Sequence, residues 1–219
     1  MSILEGYVIK AVLFDMDGVL IDARDWHYVA LNKALANFGY SISRESHLTT
    51  FDGLPTKVKL GMLSEASGLP VGLHACINEI KQRHTLELSQ QLCRPEFQHQ
   101  FALSRLKRCG LKLAVCSNSI RQTVETMMRQ ASLLEYLDVV LSNEDVIKSK
   151  PDPEIYITAM NMLGVEPTET LILEDNDHGI AAALASGAHL LKIGTPSDVR
   201  FSHIQDRIKE IEINRSHQK

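Results

Sequence analysis

The sequence predicts an α/β protein: a parallel sheet covered on both faces by helices, with a small all-helical unit inserted after the first strand. Three observations predict it. Short apolar runs of strand length recur along the 219-residue chain. Segments of helical length and spacing lie between them. That alternation breaks once, between residues 22 and 95. Parallel neighbours need crossover connections, and the crossover helices cover the sheet, so alternating strands and helices favour this architecture.

The first strand is Tyr7–Phe14 (YVIKAVLF), rich in β-branched and aromatic residues and stopping at Asp15. Similar runs follow at Leu111–Cys116, Leu137–Leu141, Thr170–Leu173 and His189–Ile193. Helical patterns at Gln122–Ser132, Glu154–Leu163 and Gly179–Ser186 precede the third, fourth and fifth strands. Asp152-Pro153-Glu154 supplies an N-cap acid, a proline suited to the first helical position and a first-turn acid. Gly110 and Gly187 stand where helix C-terminal caps belong. The interrupting region has no convincing strand. Asp25–Phe38 places Trp26, Val29, Ala30, Ala34 and Phe38 on one stripe, and Val58–Ala66 and Leu73–Leu88 also have helical spacing. The expected organisation is a core of residues 1–21 and 96–219 around a cap of residues 22–95. Trp26 is expected in the cap core, and the polar tail Glu210–Lys219 is expected to fray.

Composition narrows the function. Apolar residues make up 44% and charged residues 23%, the balance of an ordinary globular domain. A net charge of −4 with no basic tract argues against nucleic acid as a partner. The longest uncharged stretch, Gly179–Leu191, is well short of the ~20 apolar residues of a spanning helix, so no membrane role is expected. Glu5 interrupts what would be the apolar core of a signal peptide, and the four cysteines form no C-x-x-C pair. The expected setting is the cytoplasm, with reduced thiols and Cys116 buried. A monomer is compatible with the sequence, which does not set the oligomeric state.

Four polar clusters follow the apolar runs or lie in nearby loops: Asp15-Met16-Asp17-Gly18-Val19, Ser117-Asn118-Ser119, Lys150-Pro151-Asp152-Pro153 and Glu174-Asp175-Asn176-Asp177. The carboxyl ends of parallel strands are where open α/β sheets bind ligands. Gathered on one rim, these residues suit phosphoryl transfer. A phosphate dianion repels a carboxylate nucleophile, so a divalent cation must lie between them. Magnesium takes oxygen ligands, usually one or two of them protein carboxylates, which Asp15 and Asp175 supply. Lys150 can neutralise charge on the transferring group, and Ser117 can cradle phosphate oxygens at a strand-to-helix turn. Asp17, two residues past Asp15, is placed to protonate a leaving oxygen and then deprotonate water. A calcium loop is a poor fit, because its fifth position would be Val19 and its glycine comes at position four.

These residues resemble the haloacid dehalogenase superfamily of hydrolases over nearly the whole chain. Phe14–Leu20 is similar to the first motif, with its nucleophile and acid/base aspartates. Ser117-Asn118 resembles the second motif, Lys150–Pro153 the third, and Glu174-Asp175 the fourth. Glu174–Gly187 (EDNDHGIAAALASG) resembles the fourth motif and following helix of the β-phosphoglucomutase-like branch. The resemblance implies a Rossmann-like core, a helical cap, a covalent aspartyl-phosphate and Mg2+ held by Asp15, Asp17, Glu174 and Asp175. It also implies phosphate contacts from Ser117, Asn118 and Lys150. Asp22–His27 resembles the start of that branch's cap. Gly53-Leu54-Pro55-Thr56-Lys57 falls where the branch has a specificity loop, so Arg24, His27, Thr56 and Lys57 are candidate substrate contacts. Asn176 replaces the serine common after the fourth-motif acids, and Thr56-Lys57 does not assign the loop to a sugar.

The expected activity is a magnesium-dependent phosphatase for a small phosphorylated metabolite, a sugar or polyol phosphate. A hexose-phosphate mutase needs the same residues and differs only in keeping water from the intermediate. Chloride leaves without a proton, so Asp17 weighs against a dehalogenase. A degenerate binding protein would lack a nucleophile or metal ligand, and here none is missing.

Overall fold

The architecture is that of a computed structural model, which describes residues 7–216. Strand β1 (Ala11–Phe14) leads into helices α1 (Arg24–Ala36), α2 (Arg44–Ser46, running into a π-helical turn), α3 (Thr56–Ser67), α4 (His74–Leu92) and α5 (Phe97–Arg108). Then come β2 (Lys112–Cys116), α6 (Arg121–Gln130), β3 (Val139–Leu141), α7 (Glu154–Leu163), β4 (Thr170–Glu174), α8 (Asp177–Ala185), β5 (His189–Lys192) and α9 (Phe201–Ser216). All strand pairs are parallel, in the order β3-β2-β1-β4-β5.

This order explains the apolar runs. Central β1 is buried on both faces, so it needs no polar alternation. Val12 and Phe14 face one layer, with buried residues of α5, α6 and α9 such as Leu103, Met127 and Ile208. Ala11 and Leu13 face the other, with residues of α7 and α8 such as Tyr156, Met160 and Ala182. The period of two along the strand produces that division. A third apolar cluster lies wholly in the insert, joining Leu31, Leu35, Phe51, Leu60, Leu63 and Ile77. Each such side chain contributes about 1.5–3 kcal/mol on burial, which gives the insert an apolar centre of its own.

Several expectations need correction. Tyr7–Lys10 is not strand, although Lys10 continues the ladder by donating its N–H to the Glu169 carbonyl (2.8 Å). The third strand begins at Val139, because Leu134–Tyr136 forms a 3-10 turn before it. Trp26 packs on the sheet-side cluster, not in the cap. The buried stripe of α1 is Ala30, Leu31, Ala34 and Leu35, and Val29 is exposed. Pro153, not Asp152, is the N-cap of α7, while Asp152 Oδ1 accepts the Glu154 N–H (3.0 Å). Glu210–Ser216 belongs to α9, held by buried Ile211, and the rest of the expected tail lies outside the described residues. Gly110 and Gly187 have the left-handed backbone expected of caps. Cys116 is buried, and all four cysteines are free thiols. No helix among the described residues is long and apolar enough to cross a membrane.

Candidate active site

From β1 the chain moves outward through β2 to β3, then returns to the other side of β1 for β4 and β5. The direction therefore reverses at β1/β4, the place where such sheets bind ligands. Phe14 pairs with both Val115 and Leu173, so Asp15, Cys116 and Glu174 emerge at one level. The loop before α7 brings Lys150 back over that rim. Its Nζ donates to Asp15 Oδ1 (2.6 Å), Glu174 Oε1 (2.7 Å) and the Cys116 carbonyl (2.8 Å). All three side chains of this cluster are buried.

Burial and the neighbouring Glu174 raise the Asp15 carboxyl well above its ordinary range, against the pull of Lys150. Burial alone would lower the Lys150 ammonium, but Asp15 and Glu174 outweigh it and raise its pKa, so it stays charged. Glu174 is fully engaged. Its Oε1 accepts from Lys150 and from the Tyr156 hydroxyl, and its Oε2 from the Asp175 N–H and Asn176 Nδ2.

Asp15, Glu174 and Asp175 each offer a carboxylate oxygen within 4.8 Å of the others. Three hard oxygen donors fit a divalent cation such as magnesium. The backbone leaves room for this set: Gly18 has φ +88°, and a Cβ there would lie 1.9 Å from Asp175 Oδ2. The Asp175 carboxylate contacts Arg24 Nη2 (2.7 Å) and Asn176 Nδ2 (3.1 Å), whereas that of Asp15 accepts from Lys150. Burial lifts the Asp175 carboxyl to about 6. The Asp17 side chain is not in this group. Its Oδ2 accepts the Ser119 hydroxyl (3.1 Å), and its Oδ1 lies 3.0 Å from His27 Nε2, within ion-pair reach but poorly aligned for a hydrogen bond. Burial would raise Asp17, yet His27 and Ser119 outweigh it and hold the carboxyl below its usual range. Burial lowers the His27 imidazole despite Asp17.

A cleft of about 140 Å³ opens between this rim and the cap. It lies below the ~300–1,000 Å³ typical of drug-sized sites, which suits a small ligand. Asp15, Asp17, Lys150, Asp175 and Asn118 line it from the core, and Arg24, His27, Thr56 and Lys57 from the cap. Ser117 does not line it. Its Oγ accepts the Ser119 N–H (3.0 Å) beneath the surface, so Ser117 shapes the turn that presents Asn118 and Ser119. Asn118 ties three segments together. Its Oδ1 accepts the Lys150 N–H (3.1 Å), and its Nδ2 donates to the Gly53 carbonyl of the cap (2.9 Å). Thr56 and Lys57 form the first turn of α3 rather than a loop, and Lys57 is exposed. Arg24 is paired with two acids of the cleft itself, Asp175 and Asp52 (Nε to Oδ2 3.4 Å).

The sequence reading missed Ser119, Asp52 and Tyr156 as partners of the acids, and two cap lysines, Lys59 and Lys81. Helical register would have found the lysines. Lys59 precedes Leu60 by one and Leu63 by four, and Lys81 follows Ile77 by four, so each shares a face with the cap's apolar residues.

A sheet-end cluster of acids around a buried lysine, roofed by a helical cap, defines a hydrolase built for phosphoryl transfer. The haloacid dehalogenase-like hydrolase family matches residues 12–193, and this chain belongs to it. It is 29% identical to the phosphorylated carbohydrates phosphatase of Thermotoga maritima, over 92% of this chain and 99% of that protein. It is 27% identical to validoxylamine A 7'-phosphate phosphatase of Streptomyces hygroscopicus subsp. limoneus, over 86% and 87% respectively. The crystal structure of β-phosphoglucomutase from Clostridium difficile shares the fold, with a TM-score of 0.81 at 20% identity, covering 92% of this chain and 98% of that one.

Proposed function

We propose that this chain is a magnesium-dependent phosphatase for a small phosphorylated metabolite, a sugar or polyol phosphate, working through an aspartyl-phosphate on Asp15. The observation that carries the reading is Asp15 at the switch point, bonded to Lys150 (2.6 Å) and grouped with Glu174 and Asp175. The similarity to phosphatases of phosphorylated carbohydrates and of validoxylamine A 7'-phosphate supports the substrate class.

Asp15 and Asp175 would hold the cation, with Glu174 fixing both through Lys150 and the Asp175 N–H. Bound there, magnesium would screen the carboxylate nucleophile from the negative phosphate. Lys150 keeps its charge beside Asp15 and neutralises the transferring group. Asp15 forms a bond to phosphorus as the bond to the leaving oxygen breaks, and Asp17 protonates that oxygen. Asp17 is ionised in the free enzyme, since His27 and Ser119 hold its pKa down. The approach of a phosphate dianion raises that pKa and lets the carboxyl carry the proton. In the second half Asp17 takes a proton from water, which attacks phosphorus and frees Asp15. Asn118 and Ser119 line the phosphate's side of the cleft.

The test is a panel of sugar and polyol phosphates assayed with Mg2+ and with EDTA. Phosphate release that needs Mg2+ and disappears in Asp15→Asn is expected. No release from any substrate would remove the reading. Conversion of β-glucose 1-phosphate to glucose 6-phosphate without free phosphate would replace it with a mutase.

A further inference from the structure

The cap wall carries two lysines that this reaction leaves unused. Lys59 on α3 and Lys81 on α4 are each only 8% exposed, and both line the cleft that holds Asp15. Neither forms an ion pair with a carboxylate among the described residues. Among the described residues the Lys81 ammonium has one polar partner, the His27 ring (Nζ to Nδ1 3.4 Å). The two acids that pull on them at longer range have nearer partners: Asp17 meets His27 and Ser119, and Asp52 meets Arg24. Asn78 and Gln82, three before and one after Lys81, line the same cleft and add amide groups.

A buried ammonium without a counter-charge is costly, and two that repel each other are costlier. Burial, with mutual repulsion for Lys81, lowers both to about 8. Lys57, two residues away on α3 and therefore turned to another side, shows the ordinary alternative of solvation. A site that keeps cations dry and unpaired is built to receive an anion from outside. Lys150 already serves the phosphoryl group at Asp15, on the opposite wall.

We propose that Lys59 and Lys81 form a subsite for a second oxyanion, a carboxylate or a phosphate at the far end of a substrate whose other end presents its phosphoryl group to Asp15. The inference rests on the phosphatase reading for the position of the first group. It adds that the preferred metabolite is an acid phosphate or a bisphosphate rather than a neutral sugar phosphate.

Two arms test it. In the binding arm, alkanes of two to six carbons carrying two phosphonates, or one phosphonate and one carboxylate, are titrated into the full-length protein with Mg2+. Alkyl monophosphonates of equal length serve as controls. The wild type should prefer the doubly anionic ligand by about tenfold or more at its best chain length. Lys59→Met and Lys81→Met should bring the ratio to within about twofold, and Lys59→Arg should keep most of it. Both Met variants should melt at or above the wild-type temperature, because a buried unpaired charge has been removed. A wild type without preference at any length, or a ratio unchanged in both Met variants, overturns the subsite. In the turnover arm the matching phosphates are assayed, and kcat/KM should follow the same ratios. Binding ratios that behave as expected while no phosphate is hydrolysed would remove the phosphatase reading and leave the subsite standing. Phosphonate and carboxylate series that differ identify which oxyanion fits.

Discussion

The two walls of the cleft differ in how their charges are satisfied. On the core wall, Lys150 is enclosed by Asp15, Glu174 and a carbonyl, and Glu174 is saturated by four donors. On the cap wall, Lys59 and Lys81 are also buried, and neither pairs with a carboxylate among the described residues. On the core wall the ammonium of Lys150 is matched by carboxylates of the protein itself, as suits a preorganised site. The cap wall has unmet charge that a ligand completes. In the proposed enzyme, reaction and selection are built on different elements, strand ends for the first and helix faces for the second.

Breaking the core wall should cost most. Lys150→Ala leaves Asp15 and Glu174 buried without their counter-charge, so urea unfolding at neutral pH should show about 3–5 kcal/mol of lost stability. Activity should fall by about 10²–10³-fold on every substrate alike. A loss confined to some substrates would place Lys150 in selection and erase the distinction between the walls.

Asp17 sits between the walls, joined to Ser119 on one side and His27 on the other. Asp17→Asn should lower activity by about 10²–10⁴-fold on alkyl phosphates and much less on an aryl phosphate, whose phenolate leaves without a proton. A series of leaving groups reads this directly. Equal losses across the series would limit Asp17 to holding the metal through its main chain.

The smallest effect sharpens the cap side. Lys59 faces Asp17, Asp52, His47, His27 and Lys81, and burial lowers its ammonium from 10.5 to about 8. Between pH 8 and 10.5 the unfolded chain therefore holds a proton that the folded chain has released, so folding stability attributable to Lys59 rises with pH in that window. The melting temperature of wild type should rise relative to that of Lys59→Met as pH climbs from 8 to 10, narrowing any advantage of the variant. Parallel curves would mean that Lys59 is solvated. Selectivity for a second anion should fade over the same range.

The core wall was legible in the sequence because its chemistry lies at strand ends. Each of Asp15, Ser117 and Glu174-Asp175 follows an apolar run, and a parallel sheet places those ends on one rim. Lys150 sits in a loop, and its motif resemblance placed it. The cap was legible only as helices. Which side of α3 faces the cleft depends on how the helices dock, so attention fell on exposed Lys57 instead of buried Lys59. Trp26 was misplaced for the same reason: it packs on the sheet-side cluster, a docking that sequence spacing does not show. The long reach from α1 that pairs Arg24 with Asp175 was equally invisible.

The central claim is that Asp15 becomes phosphorylated. The most direct measurement is a single turnover quenched in acid within milliseconds, followed by mass analysis of the peptide containing Asp15 and Asp17. The account predicts a transient phosphoryl adduct on Asp15 that forms and decays at rates compatible with turnover, is absent in Asp15→Asn, and accumulates in Asp17→Asn with an aryl phosphate. Full turnover with no adduct on Asp15, or with the phosphoryl group on another residue, would contradict it.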